Sequence, residues 1–186
     1  MKKRIITICL VAALLATCFA GTYAYLTDTK AVKNTFTTGN VYITLTETGA
    51  ENGLNSYRLI PGKSYTKDPT ITLNAGSEDA WIAAKITFTG YNAYDLLKGG
   101  VLNTDAVEVI KDGNVVYVFV KASQVAGATI DLFETLDVPA EWDNAQLDLL
   151  KDMIIDVEAY AVQAYGFASC KEAMQKAFAT AFPANP

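Results

Sequence analysis

"VEVIKDGNVVYVFVKA", residues 107–122, decides how the rest of the chain reads. Valine, isoleucine and aromatic residues fill both halves. Asp112-Gly113 stands between them as a residue pair that two-residue hairpin loops favour, because glycine accepts a positive φ without steric cost. The stretch therefore predicts two antiparallel strands and a tight turn. Its second half, Val115 to Val120, is apolar at odd and even positions alike. A strand with no polar face must be covered from both sides, which makes it central. The same six residues fit a steric-zipper segment, uncharged and free of proline, and a covered central strand accounts for that composition equally.

On either side the pattern alternates with the period of a strand. Val41, Ile43 and Leu45 share one face, with Tyr42, Thr44 and Thr46 on the other. After a Gly/Asn-rich loop, Pro61-Gly62 marks a turn. Ile71 and Leu73 of "PTITLNAG" then face inward, followed by Ile82, Ala84, Ile86 and Phe88 of "AWIAAKITFTG". Late in the chain, "IIDVEAYAVQAYGF" sets Ile155, Val157, Ala159 and Ala161 inward and Asp156, Glu158 and Tyr160 outward. Two helices are expected. One covers residues 144–151. The other starts at Ser169, where "SCKE" reads as a capping box joining Ser169 to Glu172, with Met174, Phe178, Ala181 and Phe182 on one face. About seven or eight short strands with few helices predict an all-β fold, a two-sheet antiparallel sandwich of jelly-roll type with one or two short helices.

The N-terminus differs in kind. Lys2, Lys3 and Arg4 form a basic head before an apolar run from Ile5 to Ala20, too short for a comfortable membrane span. It reads as a signal helix over residues 1–24, cut between Ala24 and Tyr25; a cut after Ala20 also fits the small-residue rule. An uncleaved anchor reaching Leu26, or a lipoprotein signal ending at Cys18, are the other readings. All of them place the domain outside the membrane. Removing Lys2, Lys3 and Arg4 leaves 12 basic against 20 acidic residues, a net of −8 that repels nucleic acid and anionic lipid. Cys9 and Cys18 leave with the signal, so Cys170 has no intramolecular partner.

The chain contains no histidine. That removes the Ser-His-Asp triad, the Cys-His dyad and the HExxH zinc helix together. Cys170, in the first turn of an expected helix, reads as a packed thiol. Asp156 and Glu158, two apart on a strand face, read as a solvated face before a glycosidase pair. Glu78-Asp79 and Asp143-Asn144 offer oxygen ligands without the spacing of a calcium loop. Tyr91-Asn92-Ala93-Tyr94 suits either sugar stacking or a core. No catalytic residue, metal ligand or cofactor is assigned.

Three blocks resemble the TasA/camelysin family of exported Gram-positive proteins. The first, "GTYAYLTDTKAVKNTFTTGNVYITLTE" (residues 21–47), carries Tyr23 and Ala24 before the cut, then Leu26, Thr27 and Asp28, and opens its strand with Phe36, Gly39 and Asn40. The second is "LIPGKSYTKDPTITLNAGSEDAWIAAKI" (59–86); the third comprises "LFETLDVPAEWDNAQL" (132–147) and "IIDVEAYAVQAYGF" (154–167). The resemblance implies a jelly-roll domain over residues 39–186, processing by a SipW-type signal peptidase, secretion, and self-association into biofilm-matrix fibres, with other matrix proteins as further partners. It also implies that residues 25–38 are an extended donor strand whose Tyr25, Leu26, Val32 and Phe36 fill pockets on an acceptor. The family's metallo-endopeptidase label suggests a secreted peptidase instead, against which the missing histidines stand. A monomeric surface binding module is the third reading.

Overall fold

The computed structural model describes residues 40–48 and 58–184. The chain divides into two units, Met1–Thr38 and Gly39–Pro186, and the described residues belong to the second. The expected signal peptide, the cleavage residues Ala24 and Tyr25, and the donor residues Leu26, Val32 and Phe36 lie outside the described residues.

The strands are β1 Ile43–Thr46, β2 Ser64–Thr66, β3 Thr70–Leu73, β4 Ala80–Thr89, β5 Leu97–Lys98, β6 Val107–Asp112, β7 Val115–Val120, β8 Thr129–Asp131, β9 Thr135–Asp137 and β10 Ile154–Gln163. The helices are α1 Asn144–Leu149 and α2 Cys170–Ala177. Among the described residues all strand pairs are antiparallel. They form three sheets, ordered β1-β3-β8, β10-β4-β7-β6 and β2-β9-β5, where the sequence led us to expect two. The extra division has a local cause. The segment carrying β2 and β3 runs beside the one carrying β9 and β8, and their ladder breaks at Pro69, which has no N–H to give. Two bonds still bridge the break, Lys67 N–H to the Glu134 carbonyl at 3.0 Å and Leu132 N–H to the Pro69 carbonyl at 3.0 Å. The two three-stranded sheets are thus successive stretches of one ladder.

Ile71, Leu73, Ile130 and Leu136 from that ladder share a core with Ile82, Ile86, Phe88, Val116 and Val118 of the four-stranded sheet, which makes the fold sandwich-like. The other face of the four-stranded sheet carries a second core. There Ala83, Tyr117 and Phe119 meet Cys170, Met174 and Phe182, with Tyr160 and Phe178 packed alongside. β7 is therefore covered from both sides, as its composition requires. The residues expected inward on β3, β4 and β10 all pack on the main core.

Four details differ from the sequence reading. The β6–β7 loop is Gly113-Asn114, since Asp112 pairs with Val115. Gly113 at φ 55° supplies the positive φ at the first loop position. Leu45 is 37% exposed, because β1 is an edge strand there and Val41 and Ile43 alone of its inner face reach the core. Tyr160 faces away from the main core, as expected, and yet packs edge-on against Phe178 and Phe182. α2 ends at Ala177, where Phe178 leaves helical geometry at φ −130°, ψ 52°, so Ala181 and Phe182 reach the second core from a following turn.

Candidate functional site

A groove of about 210 Å³ opens where an edge of one layer lies beside an edge of the other. Leu45 and Thr46 of β1 and the adjoining Glu47 form one wall, and Ile155, Asp156 and Val157 of β10 form the other, with Lys67 and Pro69 completing the lining. Among the described residues no strand pairs with the outer edge of β1 or of β10. β10 is ten residues long, pairs with β4 in unbroken register and contains neither glycine nor proline. Long, regular edges of this kind are templates for another strand, which is why proteins usually shorten, bulge or charge them.

Two ion pairs flank the groove. Lys67 donates to both carboxylate oxygens of Glu47 at 2.8 and 2.7 Å, with the two side chains 12% and 15% exposed, which fixes the floor beside Pro69. On the far face of β10, Lys85 donates to Glu158 at 2.9 Å and the Tyr160 hydroxyl donates to the same carboxylate. The Tyr160 bond, then the Lys85 bond, hold the Glu158 carboxyl below its ordinary value. Burial, reinforced by Glu158, pushes the Tyr160 phenol up to about 12. Glu158 is thereby committed to its neighbours, so it and Asp156, on the same face of β10, do not act as a free carboxylate pair.

The other candidates are absorbed by the fold. Tyr91 meets Trp142 edge-on at 6.1 Å, and the Lys111 ammonium sits 3.6 Å from the centre of the Tyr94 ring. Asn92 spans the loop, donating to the Gly113 carbonyl and accepting from Tyr94 N–H. Cys170 is 2% exposed, its Sγ donating to the Ile82 carbonyl at 3.1 Å, and burial pushes its thiol up to about 12, away from thiolate character. Asp143 caps α1 in a reciprocal box with Gln146. Ser169 caps α2 by accepting from Glu172 N–H, whereas the Glu172 carboxylate reaches back to Ala168 N–H. Pro61 and Gly62 are the central residues of a turn closed by Lys63 N–H to the Ile60 carbonyl at 3.2 Å. Among the described residues no three of the Cys, Asp and Glu side chains gather as metal ligands.

Sequence reasoning missed the groove. Its walls come from residues 45–47, 67–69 and 155–157, and only the sheet order brings them together. The one local signal was "IIDVEAYAVQ" itself, a ten-residue strand without a breaker.

Residues 1–130 match a family model described as camelysin metallo-endopeptidase, a match that ends within β8 and leaves β9, β10 and both helices beyond it. No curated protein and no solved structure matches the chain.

Proposed function

This chain belongs to the camelysin family, and from that premise we propose that it is an exported structural subunit that polymerises outside the cell into fibres by strand exchange. Residues 1–24 direct export, and a SipW-type signal peptidase cuts between Ala24 and Tyr25. The cut frees residues 25–38, which add to the edges of another subunit through main-chain bonds while Tyr25, Leu26, Val32 and Phe36 occupy its groove. On this reading the sandwich is of jelly-roll type, and the donor completes it. The supporting observation is the groove between β1 and β10, two strands whose outer edges pair with no other strand among the described residues.

The family description implies a metal-dependent peptidase, and the residues do not fit one. Catalytic zinc is held by sets such as three histidines or two histidines and a glutamate. This chain has no histidine, and among the described residues no group of three Cys, Asp or Glu side chains replaces them.

The test compares the chain beginning at Tyr25 with its Val32→Asp/Phe36→Asp variant by negative-stain electron microscopy and light scattering over days. The parent grows ordered fibres and the variant does not. A parent that stays monomeric at high concentration across a pH range overturns the reading and favours a monomeric surface binding module.

A further inference from the structure

Exposed large apolar side chains gather at the two ends of the sandwich. Among the described residues, Tyr42, Val125 and Tyr165 are 55%, 61% and 90% exposed. They frame one turn, residues 74–80. Tyr42 N–H donates to Ser77 Oγ, Gln124 bridges to Ala80, and Ala164 N–H donates to the Asp79 carbonyl. A second set, Ile60, Leu149 and Ile154, is 46%, 56% and 57% exposed. Ile154 lies opposite Thr89 at the other end of β4. Leu149 ends α1, and the turn after it passes close to Gly90. Ile60 opens the Pro61-Gly62 turn, which bonds to Val138 on the segment leading through Trp142 to α1. The ten residues of β4 separate the two ends by about 30 Å at strand rise. Leu45, also exposed, sits in the groove.

We infer that copies stack end to end, with Tyr42, Val125 and Tyr165 of one copy against Ile60, Leu149 and Ile154 of the next. This rests on the fibre reading and adds the polarity and the second contact of the fibre. Two features select a second copy of this chain as the occupant. The two ends differ from each other, so joining them is a heterologous contact, which propagates into an open array instead of closing as a two-fold dimer. The chain also enters the sandwich at one end. The Asn40 carbonyl accepts from Glu78 N–H, so residues 25–38 attach beside Tyr42. The groove lies towards the other end, since its Ile155 and Val157 stand opposite Phe88 and Ile86 late in β4. Fourteen extended residues span roughly 50 Å at most, enough to pass from the near end of one copy into the far-end groove of the copy it abuts. Exposed tyrosines suit the contact, each offering a rigid apolar face and a hydroxyl that stays solvated at the rim.

Cross-linking tests this, using protein recovered from cells that express the full chain with Cys9→Ser and Cys18→Ser. Cys170 stays buried, so an introduced thiol is the reactive one. Tyr165→Cys and Leu149→Cys variants are mixed before assembly so that they grow into the same fibres, each is also assembled alone, and all three are then oxidised mildly. Disulfide-linked dimers are expected in the mixture and not in either variant alone. Tyr165→Cys dimers formed alone mean like-to-like contact and overturn the inference. Fibres without the mixed cross-link also overturn it while the fibre reading stands; absence of fibres from the cysteine-free-leader parent overturns both. Val125→Asp with Ile154→Asp, both at exposed positions, raises the concentration needed for assembly about tenfold or more.

Discussion

Phe182→Ala should release α2 from the sheet, and Cys170 reports the release. Phe182 is 1% exposed and touches three rings, Tyr160 at 4.9 Å, Phe119 at 5.5 Å and Tyr117 at 5.8 Å between centroids. Truncating a buried phenylalanine costs about 3–5 kcal/mol, and the lower end applies here because the residue follows the last helix and its neighbours can settle inward. Cys170, the first residue of α2, is 2% exposed with its thiol pushed up by burial, so it reacts only in molecules whose helix has lifted. A loss of about 3 kcal/mol in the closed state raises the fraction lifted about a hundredfold. The assay is the rate of Cys170 modification by an aromatic disulfide in excess, at pH 8, in protein with Cys9→Ser and Cys18→Ser. Phe182→Leu, keeping most of the volume, should accelerate labelling only about fivefold. A Phe182→Ala rate within threefold of the parent refutes the reasoning, because α2 would then be held by something other than this aromatic contact.

Two further outcomes follow from the geometry. Gly100 has φ 61° and ψ −165°, a region open essentially to glycine, and a Cβ there would lie 2.6 Å from the carbonyl oxygens of Asp131 and Leu132. Gly100→Ala should therefore destabilise by about 3 kcal/mol or more in urea unfolding, and a loss below about 1 kcal/mol would mean the backbone gives way more easily than its packing implies. At alkaline pH, Cys170 and Tyr160 have folded pKa values raised to about 12 from 9.0 and 10.0, so the stability they support is full below the unfolded values and lost as pH climbs from 9 to 12. Cys170→Ala combined with Tyr160→Phe should flatten that decline in urea midpoints between pH 8 and 11; an unchanged slope would show that other groups control it.

Much of the fold was written in local pattern. Val115 to Val120 announced a doubly covered strand because apolar residues at both parities leave no face for water. The inward sets of β3, β4 and β10 followed from period-two alternation. What stayed hidden depended on neighbours distant in sequence. Tyr160 alternates as a solvent-facing residue should, and only the return of Phe178 and Phe182 over the sheet half-covers it. The break at Pro69 was visible as a proline, but its effect required knowing that this segment pairs with residues 129–137. The groove was the least legible feature, since strand order has no signature in a single sequence. The absence of histidine, by contrast, bore directly on chemistry and needed no structure.

The β4–β10 pairing also bears on timing. Lys85 and Glu158, partners across it, stand 73 residues apart, and β10 is the last strand among the described residues. During synthesis β4 can pair with β7 well before residues 154–163 arrive, so one side of a ten-residue, largely apolar strand waits unoccupied. Such long-range closure is slow, and the interval before it is when an unfinished sheet is most open to the wrong strand. A domain whose late strand completes its central sheet folds most safely when that sheet closes in one step, with the whole sequence present.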